Sequence, residues 1–284
     1  VKYILNNKTS LIAGFEGYSD NGKCIMDSGY FYSNNSRTLQ IINAAAFLEG
    51  TVRLKKINLI AGVRTENNNK YGWSSAPRIG ITGVLKKMHF KTLFSGAFRA
   101  PSIGNIELAT EIEPEKSFVT ELELGYRIND YMFVTANIFD IQIMNSISYF
   151  DNGGDSIGIH WGYKNTEKAG SSGFELEFKS LFQKGFATLT YSFYTQYFRN
   201  VPELYNIPTR KNVALGIPQQ KIGLNINYNL TEKLHIGPSV VMIGKKWGFS
   251  DLDTEGNPIV SEFGAAYLLN LGLTYDNLFH NGIS

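Results

Sequence analysis

Two pairs of glutamates are the first residues whose type and spacing could support chemistry. Glu121 and Glu123 lie two positions apart in the sequence, and so do Glu175 and Glu177. Glycoside hydrolases use two carboxylates, but those flank a pocket and come from different elements of the fold. Residues i and i+2 of a strand share one face. Each pair therefore predicts a row of charges along a strand, and we expect no enzymatic activity.

Other catalytic or metal-binding patterns are missing from the sequence. The four histidines (His89, His160, His235 and His280) are scattered without the short spacing of metal ligands, and Cys24 has no second cysteine to pair with. Phosphate-binding, dinucleotide-binding and nucleophile-elbow motifs are absent. With 27 basic and 25 acidic side chains the charge is nearly balanced, so no nucleic-acid partner is expected. We predict no catalytic residue, no metal and no cofactor.

The elements that carry the glutamates are predicted strands with two different faces. In the stretch after Pro114, the first face is mostly apolar and the second is mostly charged or small. The first face holds Phe118, Thr120, Leu122, Leu124 and Tyr126, and the second holds Val119, Glu121, Glu123, Gly125 and Arg127. A soluble sheet could contain one strand of this kind, so the repetition of the pattern decides the fold class.

The alternation recurs about twelve times along the 284 residues, with connections of two kinds. Short turns are predicted at 55–56, 87–88, 129–130, 183–185 and 231–233. Longer polar loops are predicted at 19–39, 67–73, 100–114, 148–165, 198–212 and 248–261. Because the two kinds alternate, all long loops lie at one end of an antiparallel sheet and all short turns at the other.

This arrangement predicts an all-β fold that spans a membrane. No apolar run approaches the roughly 18 residues of a membrane helix, but barrel strands need only about 9–11 residues and hide their apolar face in alternation. The second face is too polar for the core of a sandwich. We therefore predict a segment of an antiparallel transmembrane β-barrel with short periplasmic turns and long extracellular loops. A large soluble antiparallel sheet, covered on its apolar face, is the alternative.

Several stretches resemble the β-barrel of TonB-dependent outer-membrane receptors. The mid-barrel signature of that family is similar to Phe98-Arg99-Ala100-Pro101-Ser102, Asn105-Ile106-Glu107-Leu108, Pro114-Glu115-Lys116-Ser117 and Glu121-Leu122-Glu123-Leu124-Gly125-Tyr126. Further similarity lies in Ala61-Gly62-Val63-Arg64, in Tyr163-Lys164-Asn165 with Gly173-Phe174-Glu175, and in Asn277-Leu278-Phe279. These stretches occur in the family's order over nearly the whole chain.

The resemblance implies a barrel of about 22 strands with an N-terminal plug domain inside it. Residues 1–284 would then be a partial barrel of about 12 strands, without the plug and the terminal strands. It also implies the outer membrane of a Gram-negative bacterium, with membrane lipid, the TonB complex and a small cargo as partners. The implied function is uptake of a ferric siderophore, haem or vitamin. The alternative is a passive or structural barrel without a plug.

Candidate cargo contacts are aromatic and polar residues in or beside the predicted loops. Aromatic rings supply a large contact area and have few rotatable bonds that become fixed on binding. Aromatic residues in loops can also anchor a barrel at the membrane interface. The candidates are Tyr71, Trp73, Arg99, His160, Trp161, Tyr205 and Trp247. For Arg99 we favour an architectural role at the corner before Pro101. Arg64 and Arg78 are expected to face the lumen, where acidic groups of a plug are the favoured partners and an anionic siderophore is the alternative.

Overall fold

The computed structural model describes residues 1–23, 37–107, 109, 111–151, 161–166, 168–196, 206–207 and 210–276. Its elements, in chain order, are β1 (Lys2–Asn6), β2 (Thr9–Lys23), β3 (Thr38–Arg53), β4 (Ile57–Asn68), β5 (Gly72–Leu85), β6 (Met88–Arg99), α1 (Ile103–Glu107), β7 (Glu115–Arg127), β8 (Met132–Met144), β9 (Ser146–Asp151), β10 (Trp161–Thr166), β11 (Ala169–Phe182), β12 (Gly185–Thr195), β13 (Asn206–Ile207), β14 (Arg210–Ala214), β15 (Gln220–Asn229), β16 (Leu234–Ile243), β17 (Lys246–Leu252), β18 (Pro258–Phe263) and β19 (Ala266–Tyr275). No helix in these ranges has the length and apolar character needed to cross a membrane.

Thirteen of the strands form one antiparallel sheet, which confirms the predicted all-β fold. Their order is β1-β2-β3-β4-β5-β6-β7-β8-β11-β12-β15-β16-β19, so each strand lies beside its neighbours in sequence apart from the inserted hairpins. Strands β1 and β19 are the two edges, and within the described residues the sheet does not close. The strand beyond the predicted twelve is β1, which is five residues long and too short to show an alternating pattern.

One side of this sheet is apolar from edge to edge, and we call it the apolar face. The register places Phe174, Leu176 and Phe178 of β11 between apolar residues of β8 and β12. Many of these side chains are exposed, with Phe15 at 89% and Leu269 at 75%. Soluble monomers rarely expose so large an apolar patch, so this face needs a cover such as lipid.

The opposite side, the polar face, carries the charged side chains of the same strands. Its ionic side chains include Glu16, Glu49, Arg64, Glu66, Arg78, Lys91, Glu121, Glu123, Glu175, Glu177 and Lys179. The paired glutamates therefore lie in rows on one face, as predicted. Arg64 and Arg78 also lie on this face, which is the face predicted to line the lumen.

The predicted short turns are confirmed, but three of the predicted long loops contain strands. Antiparallel hairpins β9–β10, β13–β14 and β17–β18 overlap the segments 148–165, 198–212 and 248–261 that the sequence predicted as loops, and they extend one or two residues into the strands predicted beside them. The prediction relied on alternation between an apolar and a polar face. These hairpins lie outside the main sheet, so no such alternation is imposed on them. Strands β2 and β3 also extend beyond their predicted ends, to Lys23 and from Thr38.

The predicted loop 100–114 folds back over the polar face. Its short helix α1 places Ile106, which is 6% exposed, against Leu39 of β3, which is 1% exposed. Ile41 and Ile112 pack around this pair. Leu39 and Ile41 lie on the same face of β3 as Asn43. Asn43 pairs in register with Asn68, which lies on the polar face. The segment therefore reaches from β6 to β3 on the polar face, at the end of the sheet where the long loops were predicted, which we call the loop end.

Candidate ligand-binding face

On the polar face, near the end of the sheet where the short turns lie, one lysine forms ion pairs with the glutamate row of β7. Lys91 of β6 lies 2.8 Å from Glu121 and 3.9 Å from Glu123. Glu123 is also 3.5 Å from Nε2 of His89, whose ring covers Gly125. The sequence predicted the charge row, but it did not identify Lys91, because Lys91 lies on the neighbouring strand. The arrangement neutralises charge and leaves no free carboxylate pair around a pocket.

At the loop end, strands β2 and β4 and the turn after β4 hold a partly buried ionic cluster. Nη2 of Arg64 lies 3.0 Å from Glu16 and 3.4 Å from Glu66, whose side chain is only 7% exposed. The Tyr71 hydroxyl donates to Glu66 over 3.2 Å. Burial, followed by the charge of Glu66, raises the pKa of Tyr71 well above its usual value. Tyr71 therefore stays neutral and acts as a hydrogen-bond donor on the polar face.

Buried amides and a hydroxyl surround this cluster. Asn43, Asn68 and Ser74 are each 2% exposed, and Asn68 donates its side-chain amide to Asn43 over 3.2 Å. Asn43 Nδ2 and Ser74 Oγ have no hydrogen-bond partner. Buried polar groups normally find one, so these two atoms are exceptions at the loop end of the polar face.

Arg99 belongs to a second hydrogen-bonded group, which we call the loop junction: Arg99, Glu113, Glu115, Asn145 and Asn165. Arg99 donates to Glu115 over 2.9 Å, and Glu115 also accepts the backbone N–H of Ile147 over 3.2 Å. Asn145 donates to the carboxylate of Glu113 over 2.6 Å. These contacts fix the start of β7 to the start of hairpin β9–β10, so Arg99 occupies an architectural position.

Asn165 completes the loop junction through backbone contacts. Its side-chain amide donates to the carbonyl oxygens of Glu113 and Asn145 over 2.9 and 2.8 Å, and its side-chain oxygen accepts the N–H of Glu113 over 2.8 Å. Arg99, Glu115 and Asn165 come from three separate stretches that carry the family resemblance. The structure brings these stretches together at one point.

Trp247 lies at the loop end, in hairpin β17–β18. The guanidinium carbon of Arg210 is 5.2 Å from the Trp247 ring centroid, within the range of a cation–π contact. Trp247 pairs in register with Glu262, and Glu262 accepts a 2.7 Å hydrogen bond from Lys245. The Lys245 contact holds the pKa of Glu262 below its usual range. Sequence reasoning missed Arg210, Lys245 and Glu262, because it did not predict the hairpin that brings them together.

The other predicted contacts are separated from this group. Trp73 is 69% exposed, and its register position places it on the apolar face with Ile79 and Ile81. Trp161 begins β10 opposite Asp151 in the backbone register. His160, Tyr205, Cys24 and the stretch 277–279 lie outside the described residues. Among the residues that are described, no group of three or more histidine, cysteine, aspartate or glutamate side chains could hold a metal.

A long antiparallel sheet with one apolar and one polar face, short turns at one end and hairpins at the other, defines the wall of an outer-membrane-type β-barrel. The family model described as "TonB dependent receptor-like, beta-barrel" matches residues 5–281. The chain belongs to this family. Among the curated proteins, none matches it.

Solved structures show the same fold at low sequence identity. The siderophore receptor PirA from Acinetobacter baumannii is 16% identical with a TM-score of 0.76, and the match covers 94% of this chain and 46% of that chain. A mutant ferric enterobactin receptor from Pseudomonas aeruginosa, in complex with enterobactin, is 15% identical with a TM-score of 0.76 and coverages of 97% and 45%. The FrpB iron transporter from Neisseria meningitidis is 13% identical with a TM-score of 0.72 and coverages of 98% and 47%. The chain thus spans less than half the length of these proteins.

Proposed function

We propose that the whole protein is an outer-membrane receptor of a Gram-negative bacterium that takes up a scarce small cargo. The cargo class is a ferric siderophore, haem or a vitamin, and the TonB complex drives its passage through a plug domain outside this sequence. The observation that carries the proposal is the family match over residues 5–281. Likeness to receptors whose names include a siderophore or iron supports the cargo class.

Residues of the hairpins at the loop end support capture of an anionic, aromatic cargo. Arg210 and Trp247 combine a cation that cannot lose its proton with the largest aromatic ring. Lys245 adds a second cation, and its side chain is 70% exposed. We propose Arg210 and Trp247 as cargo contacts, and Tyr71 on the polar face as a separate third contact. For Trp73, its place on the apolar face supports membrane-interface anchoring.

Growth on defined nutrient sources tests this function in the full-length gene. A deletion strain is supplied with a ferric siderophore or haem as the single iron source, or with vitamin B12 in a medium in which growth requires it, and is complemented with intact or altered genes. We expect one source to support growth only with the intact gene. Trp247→Ala and Arg210→Ala should reduce uptake at low concentration of that source, whereas Phe249→Ala, an exposed ring on the same hairpin, should not.

Dependence on the TonB complex separates this proposal from a passive or structural barrel. Uptake of the labelled cargo should stop in a strain that lacks the complex. Equal uptake with and without it would favour the passive barrel, and no growth difference on any source would argue against transport. Fractionation of the intact gene product tests the outer-membrane location separately.

A further inference from the structure

We propose that the lysines of the short turns form a basic rim that selects phospholipid heads of net negative charge in the membrane leaflet facing the periplasm. The inference rests on the proposed outer-membrane location, which places the short turns on the periplasmic side. It concerns neither the proposed cargo contacts nor the apolar face itself. The basic rim consists of seven lysines: Lys8, Lys55, Lys56, Lys86, Lys87, Lys184 and Lys233.

Positive charge is concentrated at this end of the sheet. The chain as a whole has 27 basic and 25 acidic side chains. The six short turns contain all seven lysines of the rim but only two acids, Asp130 and Glu232. These turns are residues 7–8, 54–56, 86–87, 128–131, 183–184 and 230–233. They therefore create a local positive potential that the nearly balanced total charge does not reveal.

The lysines of the rim are available to a partner, since all seven are exposed. Lys87 donates to the carbonyl oxygen of Ile128 over 3.1 Å. Within the described residues, the other six lysines form no ion pair, and the acid Asp130 lies 3.8 Å from Arg127. The positive charge of the rim is therefore not neutralised by the turns that carry it.

The rim lies directly beyond the apolar face. Leu85 pairs with Met88, and Phe182 pairs with Gly185, at the last register positions before their turns. Leu54 and Leu230 continue the alternation of the apolar face into two further turns, and these four apolar side chains are 39–51% exposed. A lysine stem can lie along such side chains while its ammonium group reaches the polar boundary. At the end of a lipid-covered face, that boundary is the layer of lipid heads.

The spacing of the turns favours an extended anionic surface over a small anion. Neighbouring strands lie about 4.8 Å apart, so successive turns are about 10 Å apart and the six turns extend over roughly 50 Å. At physiological ionic strength, charges are screened over about 8 Å. A single phosphate or carboxylate therefore acts on one or two turns, whereas a bilayer presents heads to all six. An acidic peptide can also span several turns, but the apolar boundary beside the lysines favours the bilayer.

Native mass spectrometry of the full-length protein tests the rim. The protein is released from nanodiscs with equal amounts of dioleoyl phosphatidylglycerol, which is anionic, and dioleoyl phosphatidylcholine, which has no net charge. We expect the retained lipid to be enriched roughly threefold in phosphatidylglycerol. The enrichment should fall when the salt concentration is raised from about 50 to about 500 mM. The triple change Lys55→Gln, Lys56→Gln and Lys86→Gln should remove about half of the enrichment.

The matched control removes three exposed lysines at the loop end. It combines Lys70→Gln, Lys168→Gln and Lys246→Gln, so the change in net charge is the same. The loop end also carries exposed acids such as Glu111 and Glu255, and its charge is therefore mixed. The control should keep the enrichment in phosphatidylglycerol.

A second rim variant, Lys184→Gln with Lys233→Gln, lies on two other turns and keeps the test decisive if the triple variant does not fold. Absence of enrichment in the unaltered protein, or an equal loss in the rim and control variants, would overturn the basic rim. A hexaglutamate peptide that binds the unaltered protein but not the rim variant, without any lipid enrichment, would assign the lysines to an acidic peptide and overturn the choice of lipid.

Cargo uptake measured in parallel separates this inference from the transport proposal on which its orientation rests. Failed enrichment with normal uptake would reject the basic rim alone. Enrichment without uptake of any source would reject transport alone.

Discussion

The two faces of the sheet are made by the same strands, yet they depend on their residues in different ways. On the apolar face, neighbours such as Leu189, Leu224 and Val240 share only their apolar character. On the polar face, Arg64, Lys91 and Arg99 each have carboxylate partners at defined distances. The apolar face therefore requires only that its side chains be apolar, whereas the polar face requires particular pairs of side chains. Replacing one apolar residue by another should be tolerated on the apolar face. Replacing one polar residue by another on the polar face should not be tolerated.

The largest effect is expected when a charge is placed on the apolar face. Leu224→Lys in the full-length protein should lower the free energy of unfolding by about 2–4 kcal/mol if the position is near the bilayer midplane. Asn225→Lys, one residue along on the polar face, should cost far less. Urea unfolding in lipid vesicles measures both. Equal costs would mean that the faces are assigned wrongly.

The next effect concerns the ionic cluster at the loop end. Arg64→Met leaves the buried carboxylate of Glu66 without its cation and should destabilise the protein by about 1–3 kcal/mol. The double change Arg64→Met with Glu66→Gln should recover part of this loss, because the unpaired charge is removed. Arg78→Met is the control, since Arg78 is 3.9 Å from Glu49 and 53% exposed, and such pairs contribute about 0–1 kcal/mol. A cost for Arg78→Met as large as that for Arg64→Met would remove the distinction.

A smaller, local effect is expected at the loop junction. Asn165→Ala removes the side-chain contacts to Glu113 and Asn145 and should weaken hairpin β9–β10 by about 1–2 kcal/mol. Hydrogen exchange of the β9 amides should accelerate, while exchange in β15 stays unchanged. Ser148→Ala, which removes one 3.3 Å contact to Thr166, serves as the control. Acceleration throughout the sheet would show that Asn165 supports the whole fold instead of one hairpin.

The smallest effect is a pH dependence that arises from Tyr71. The folded protein holds the phenolic proton more tightly than the unfolded chain, because the pKa of Tyr71 is raised in the fold. The free energy of unfolding should therefore fall as the pH rises above about 10, the ordinary pKa of tyrosine. Tyr71→Phe should lose less stability over that interval than the unaltered protein. Denaturant titrations at pH 8 and pH 11 measure the difference, and parallel curves would contradict the assignment.

The sequence predicted the main sheet because an apolar face on one side and a polar face on the other impose a strict period of two residues. Strands such as β7, with Leu122 and Leu124 opposed to Glu121 and Glu123, were therefore recognisable one at a time. The same reasoning failed for hairpin β17–β18, where no such alternation is imposed and the pairing of Trp247 with Glu262 depends on register alone. Partners across strands, such as Lys91 and Glu121, are distant in sequence and could be identified only from the structure.

The contact between Ile106 and Leu39 has a mechanical consequence. Antiparallel strands resist separation through their ladder of hydrogen bonds, but each ladder joins only adjacent strands. The α1 segment continues from β6 and packs on β3, although two other strands lie between β6 and β3 in the sheet. A force that pulls β3 away from β6 at the loop end therefore also has to separate Ile106 from Leu39.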